Sequence, residues 1–463
     1  MADPSWQTYL EHEHDRHFAE LLELLRIPSV STDPEHRPDV AKAAEWVANR
    51  LRNAGVPVVD ILPTAGHPVV FGRWHHDPAL PTLLIYGHYD VQPPDPLDLW
   101  ETPPFEPSIR DGLIFARGSA DMKANLLTLI QAVEAHARTH GRPPVNLIFL
   151  LEGEEEIGSP NLPNVIRAHR DQLTCDAILS ADGGMYGPDV PSLVVALKGI
   201  AGCQVDIRSG TTDLHSGSYG AVAPNAVQIL VQLAATMHDR EGRVTISGFY
   251  DHVRPLTDQD RAELAAVPFD ERALLEEAGV ETLWGEPEYT PLERRWARPT
   301  LDFNGIWGGF QGEGTKTVTP CEAHLKITCR LVPDQEPDDI LRLIERHVAE
   351  HTPPGIHASV RPMPGSARPF SIRRDDPALA VARQVLSEIY GREPLFIRAG
   401  GSVPITEVFQ RELGKDTVTI GFGMPGSRAH APNEWFRIAD FPVARKVYAR
   451  FLEALGEKER AAS

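Results

Sequence analysis

Cysteine is scarce in this chain: four among 463 residues, at Cys175, Cys203, Cys321 and Cys329. None forms a C-x-x-C pair, and four in this length build no disulfide framework. They read as reduced, mostly buried thiols of a cytoplasmic protein. Long apolar runs are absent as well. No stretch reaches the roughly 18 residues of a transmembrane helix, and the charged segment Met1 to Glu20 lacks the apolar run of a secretory signal. Positive charge is in the minority, with 45 Lys and Arg against 65 Asp and Glu, a formal charge of −20. Nucleic acid and anionic membranes reward clustered positive charge, so neither is expected as a partner. Internal repeats and low-complexity tracts are missing too.

What remains has the composition of a soluble globular enzyme, 42% hydrophobic and 24% charged. The length is enough to bury a large core without staples. At roughly 150 residues per domain it suggests about three domains. Short apolar runs recur at 82–86, 145–151, 177–180 and 417–420. Continuous runs of this kind suit strands covered on both faces, as in a parallel sheet flanked by helices. Between them, from Asp121 to His140, Leu126, Ile130, Val133 and Ala137 keep a helical stripe.

The middle of the chain follows another pattern. The sequence predicts a strand at 202–208 and a helix at 224–237, with Pro224 near its first turn and Val227, Leu230, Val231 and Ala234 on one face. A second strand is predicted at 244–247. From Cys321 to Leu331 the odd positions are apolar or cysteine and the even ones polar, a sheet with one wet face. A helix at 338–351 and a strand at 356–361 follow. The order β-α-β-β-α-β is ferredoxin-like, interrupted by an insertion at 249–319. The expected fold class is therefore a mostly parallel-sheet α/β catalytic domain, residues 1–198 and 365–463, with an inserted α+β domain at 199–364. Residues 365–377 read as its return linker.

Ligands gather at the carboxyl ends of strands in open parallel sheets. The first run ends in Gly87-His88-Tyr89-Asp90, the second in Glu152-Gly153-Glu154-Glu155-Glu156, the third in Ala181-Asp182, and the fourth leads to His430. Asp121 precedes the long helix. Taken singly, each residue has a bland reading: a hydrogen-bonding His, a solvated Glu run, an Asp cap. Taken together, five carboxylates and two imidazoles converge on one edge, where they repel unless cations or protons intervene. Imidazole plus carboxylate without thiolate suits Zn²⁺ or Mn²⁺.

Three other patterns fail on their own terms. Gly421-Phe422-Gly423-Met424-Pro425-Gly426 spells G-x-G-x-x-G, but Pro425 and the polar loop after it leave no helix to start there. His12-Glu13-His14-Asp15-Arg16-His17 has Arg where H-E-x-x-H needs its second His, and it reads as a solvated helix face. Gly400-Gly401-Ser402 lacks the last Gly of a nucleophile elbow.

The motifs Gly87-His88-Tyr89-Asp90-Val91-Gln92-Pro93, Gly118-Ser119-Ala120-Asp121-Met122-Lys123, Glu152 through Ser159, and His430-Ala431-Pro432-Asn433-Glu434 resemble those of the two-metal amidohydrolase-peptidases. That family includes acetylornithine deacetylase, succinyl-diaminopimelate desuccinylase, aminoacylase, glutamate carboxypeptidase and carnosinase. The motifs occur in family order across nearly the whole chain. The resemblance implies that His88 and Asp182 bind one metal, Glu156 and His430 the other, and that Asp121 bridges them. It makes Asp90 the partner that orients His88 and Glu155 the general base. Met122-Lys123-Ala124 departs from the family's usual Asp-Lys-Gly without touching a ligand.

The inserted domain extends the resemblance. Asp213-Leu214-His215-Ser216-Gly217 is similar to the segment whose His stabilises the tetrahedral oxyanion, in dimeric members across the dimer. A turn-capping His is the plain alternative. Gly314 through Pro320, Cys329-Arg330-Leu331-Val332-Pro333 and Gly400 through Pro404 resemble the cytosolic dipeptidase–carnosinase branch. There the positions of Thr317, Arg330 and Ser402 hold the substrate's carboxylate and backbone; Arg330 paired with a neighbouring acid is the alternative. The implied protein is a homodimeric metallo-exopeptidase for small peptides with a free C-terminal carboxylate. An N-acyl-amino-acid deacylase is the runner-up, and a non-catalytic binding protein the reading from another class.

Overall fold

The apolar runs form the centre of a six-stranded sheet ordered Val58–Leu62, Val69–Trp74, Asn146–Glu152, Thr82–His88, Ala177–Ser180, Thr417–Thr419 in a computed structural model that describes residues 5–400 and 404–462. The last four strands run parallel, and the first two add an antiparallel edge. Asn146–Glu152 is buried along its whole length. Its five apolar side chains, Leu147 to Leu151, contribute on the order of 7–15 kcal/mol of transfer free energy at most. That margin tolerates buried polar residues at both strand ends, provided they are hydrogen-bonded. Asn146 donates to Asp77 O and Leu80 O, and Glu152 accepts from Tyr86 and Ser159 hydroxyls. Helix Ala124–His140 is buried through His136 and packs on the C-terminal helix Asp440–Ala462.

The chain divides into two units. One comprises the chain up to Val195, Ile372–Ile397 and the chain from Ile405; the other is Ala196–Ser371 with a short segment starting at Arg398. The second unit carries an antiparallel sheet ordered Thr300–Gly308, Glu322–Leu331, Gly199–Arg208, His357–Pro362. Ala323, Leu325, Ile327, Cys329 and Leu331 are buried against helices Ala226–Ala235 and Pro337–His351, as the alternation requires.

Several expectations need correction. The second strand of the ferredoxin-like order is Thr300–Gly308, inside the stretch read as insertion, and 244–247 is not a strand. Gly242 and Gly248, both at positive φ, turn the chain on either side of Val244 and Ile246, which enter the core as loop side chains. Thr300–Gly308 hides from pattern reading because its register shifts between Phe303 and Gly305, leaving Phe303 and Ile306 exposed. Helix Ala226–Ala235 starts after Asn225, whose side chain accepts from Val227 and Gln228 amides. Its buried face is Ala226, Ile229, Leu230, Leu233 and Ala234, so Val231 is exposed. The His12–His17 run is a solvated face only in part: His12, Asp15 and Arg16 are exposed, but His17 is fully buried.

Candidate metal centre

Four of the five candidate ligands of the first unit stand where a parallel strand or its following segment reaches the carboxyl edge, and Asp121 instead follows Leu113–Phe115, a strand of a small antiparallel sheet. His88 is the last residue of its strand and is fully buried. Its Nδ1 lies 3.1 Å from the Asp90 carbonyl and 3.4 Å from Asp90 Oδ1. In the neutral ring that bond places the proton on Nδ1 and leaves a lone pair on Nε2 for a cation. Nε2 is 3.2 Å from Asp121 Oδ1 and 3.9 Å from Asp182 Oδ2, yet it is a buried nitrogen with no aligned hydrogen bond. Asp121 caps no helix. It sits in an extended turn ahead of Ala124–His140 and meets His430 Nε2 at 3.0 Å. Met122, next to Asp121, lays its side chain over Gly87, where a Cβ would lie 2.9 Å from Met122 Cε.

Glu156 and His430 complete the cluster, with His430 Nε2 3.1 Å from Glu156 Oε2. Asp90 also accepts from the Glu155 and Glu156 amides, at 3.3 and 3.1 Å, so it holds His88 and the glutamate turn together. Ligand atoms of His88, Asp121 and Asp182 fall within 4.8 Å of one another, and so do those of Asp121, Glu156 and His430. The two groups share Asp121. This donor set, two imidazoles and three carboxylates with a buried nitrogen that has no aligned hydrogen bond, fits two divalent cations of the Zn²⁺ or Mn²⁺ kind.

The electrostatics follow from crowding acids in a buried place. Burial, with the Asp182, Glu156 and Asp121 carboxylates, holds the Glu155 carboxyl well above its usual range. Burial and Asp121 push Asp182 up to about 7. Asp121 goes the other way: burial raises it, but the imidazoles of His430 and His88 outweigh that and lower it. Hydrogen bonds to Asp121 and Glu156 raise His430 to about 10. No Arg or Lys of the described residues pairs with these acids. Arg117 is spent on Glu434, and buried Lys123 donates to Leu24 O and Ile27 O.

Three residues that sequence reasoning left without roles, Gln92, Arg117 and Glu434, belong here. Gln92 donates to Glu156 Oε2 at 2.9 Å. Glu434 accepts from Arg117 and from three amides of the 118–121 turn. All three stand inside or beside the quoted motifs, which was the available signal. The G-x-G pattern also finds its reason: a Cβ on Gly421 would lie 2.0 Å from Gly183 O. Only glycine lets the chain leading to His430 lie against the chain leaving Asp182.

In the second unit, His215 is exposed and its Nδ1 accepts from the Gly217 amide at 3.0 Å. Its strand pairs with Val318–Thr319, and the Ser216 amide donates to Thr317 O, so His215 and Thr317 are neighbours. Arg330 is half-buried on the wet face, opposite Thr300, and its guanidinium pairs with no acid of the described residues. Ser402 lies outside the described residues.

Residues 84–454 match the family described as peptidase family M20/M25/M40. The chain is 30% identical to the Cys-Gly metallodipeptidase dug1 of Schizosaccharomyces pombe, covering 96% of this chain and 97% of that one. The family M20 metallo-carboxypeptidase Sso-CP2 from Sulfolobus solfataricus superposes with a TM-score of 0.79 at 32% identity, covering 95% of this chain and 99% of that one. Human carnosine dipeptidase 1 gives 0.77 at 27% identity, with 98% of each chain covered. The chain belongs to peptidase family M20/M25/M40, whose members are metal-dependent peptide hydrolases.

Proposed function

We propose that this peptidase cleaves dipeptides or short peptides bearing a free C-terminal carboxylate, in a site that takes two divalent cations, Zn²⁺ or Mn²⁺. The carrying observation is the pair of ligand groups that share Asp121, with the buried His88 Nε2 3.2 Å from Asp121 Oδ1 but without an aligned hydrogen bond. In this reading His88, Asp121 and Asp182 hold one cation, and Asp121, Glu156 and His430 the other. Cations bound there supply Lewis acidity and lower the pKa of water to about 7. Asp90 orients His88 and the Glu155–Glu156 turn. Glu155 takes a proton from the attacking water and passes it to the leaving amine.

His215 has a donor ready for an oxyanion. Because Nδ1 accepts from Gly217, the neutral ring carries its proton on Nε2. Arg330, half-buried and unpaired, offers a bidentate fork for the substrate carboxylate, and Thr317 and Ser402 contact the peptide. Relatives named for Cys-Gly and for carnosine, and a neighbour named as a carboxypeptidase, support substrates with that free end. A homodimer formed through the inserted unit is part of this reading; Val222, Val231, Ile306 and Phe310 there are exposed. Four unpaired cysteines support a cytoplasmic setting, and no helix of the described residues is long and apolar enough to cross a membrane.

The test pairs dipeptides with their C-terminal amides and with N-acyl amino acids. Hydrolysis of the free dipeptides by Zn²⁺- or Mn²⁺-loaded protein is expected to fall roughly tenfold to a hundredfold on amidation, the loss of one charge-assisted hydrogen-bond pair. Arg330→Met should abolish that difference. Faster turnover of N-acyl amino acids than of any dipeptide would replace the reading with a deacylase.

A further inference from the structure

The candidate ligands are not held equally well. His88 ends a buried strand, and Asp182 lies two residues beyond one. Asp121 sits in a turn without helical geometry, although Met122 and Lys123 beside it are buried. His430 has the least support. Its side chain is 54% exposed, its φ is +62°, and it belongs to no helix or strand. Some other contact must set its distance to Asp121.

Glu434, four residues on, is fully buried. Its Oε2 accepts from Arg117 Nη1 and the Gly118 amide, both at 2.8 Å. Its Oε1 accepts from the Ala120 amide at 2.8 Å and the Asp121 amide at 3.0 Å. Its own carbonyl accepts from the Ala116 amide at 3.1 Å. Asn433 ties the same loop to the segment before the turn, donating to Leu99 O and accepting from the Glu101 amide, each at 2.8 Å. One carboxylate thus joins the turn carrying Asp121 to the loop carrying His430. It satisfies three amides that the turn's extended geometry leaves without helical partners.

We propose that Glu434 is a positioning residue that fixes the Asp121–His430 separation and so sets the affinity of the outer cation position, the one formed by Asp121, Glu156 and His430. This rests on the two-position reading above. The inner position keeps His88 and Asp182 on strand ends and depends on Glu434 only through Asp121. Lys123, held by Leu24 O and Ile27 O, restrains that turn independently. Losing such an outer contact to a ligand typically costs tenfold to a hundredfold in metal affinity.

The experiment is Zn²⁺ titration by calorimetry of chelator-stripped full-length protein. Wild type should show two sites. Glu434→Gln turns an amide NH₂ toward donors, so one site should weaken at least tenfold and the other less than threefold. His430→Ala identifies the outer site, and Glu434→Gln added to it should weaken that site less than threefold further, because the two act as one unit. Arg117→Gln, which removes one of the four donors, should show the same selectivity on a smaller scale and decides the matter if Glu434→Gln does not fold. Equal weakening of both sites, full additivity with His430→Ala, or unchanged binding would overturn the proposal. Fewer than two sites in wild type would overturn the two-position reading itself, and wild type alone reveals that.

Discussion

At the carboxyl edge of the central sheet, five acids face two imidazoles with no Arg or Lys of the described residues pairing with them. Between the helices of the same unit, Glu134 is buried more deeply than most of them and is met by Arg50, by Arg16 at 3.0 Å and by His17 at 3.3 Å. Arg445 donates there to His14 and His17, each at 2.8 Å. Both clusters crowd ionisable side chains together. They differ in whether the chain supplies its own counter-charge. The His17 hydrogen bond and the Arg50 and Arg16 guanidinium groups hold the Glu134 carboxyl well below its usual range despite its burial, whereas burial and like charges hold Glu155 well above. A buried acid matched from within is architecture. A buried acid left unmatched calls for something from outside.

The comparison breaks most visibly at its centre. Asp121→Ala should remove bound metal and lower kcat/KM by roughly a thousandfold or more, since it takes away the residue common to both ligand groups. Two full equivalents by metal analysis would contradict a bridge. Glu155→Gln should keep both equivalents and lose roughly a hundredfold to ten-thousandfold in kcat. Retained turnover would remove Glu155 as base. In the helical cluster, Glu134→Gln should do the reverse. It leaves Arg50 a buried cation with only Glu20 beside it, and should cost about 3 kcal/mol in urea unfolding while metal content stays unchanged. Loss of metal in that variant would erase the distinction.

The same contrast explains what could be read in advance. The edge cluster was legible because unmatched acids had to sit at strand ends, and strand ends are marked by where apolar runs stop. The helical cluster was not. His14 and His17 sit in sequence beside Glu13, Asp15 and Arg16 and look like a wet face. Their partners Glu134 and Arg445 stand far along the chain, and no local pattern announces the pairing. Thr300–Gly308 was missed for a related reason, because its bulge at Phe303 and Gly305 breaks the period that pattern reading relies on. Glu434 stood inside a quoted motif, but its hydrogen bonds run to residues more than 300 positions earlier.

The smallest effect sharpens the contrast by asking what each region does with a proton. Near the helical cluster, His136 is buried and its Nε2 donates to Ala449 O at 2.9 Å. Burial lowers its pKa to about 4, whereas His430 at the acid edge is raised to about 10. An unfolded histidine titrates near 6.5. Between pH 6.5 and 4 the unfolded chain therefore holds a proton at position 136 that the folded chain refuses, so stability falls as pH falls through that window and levels off below it. At pH 5 the loss is about 1.5 × 1.36, or about 2 kcal/mol. His136→Gln keeps a donor for Ala449 O and cannot titrate. In chelator, its urea-unfolding free energy should drop between pH 7 and pH 5 by about 2 kcal/mol less than that of wild type. Equal drops in both proteins would mean that His136 accepts its proton in the fold, and that the helical layer does not exclude charge it cannot pair.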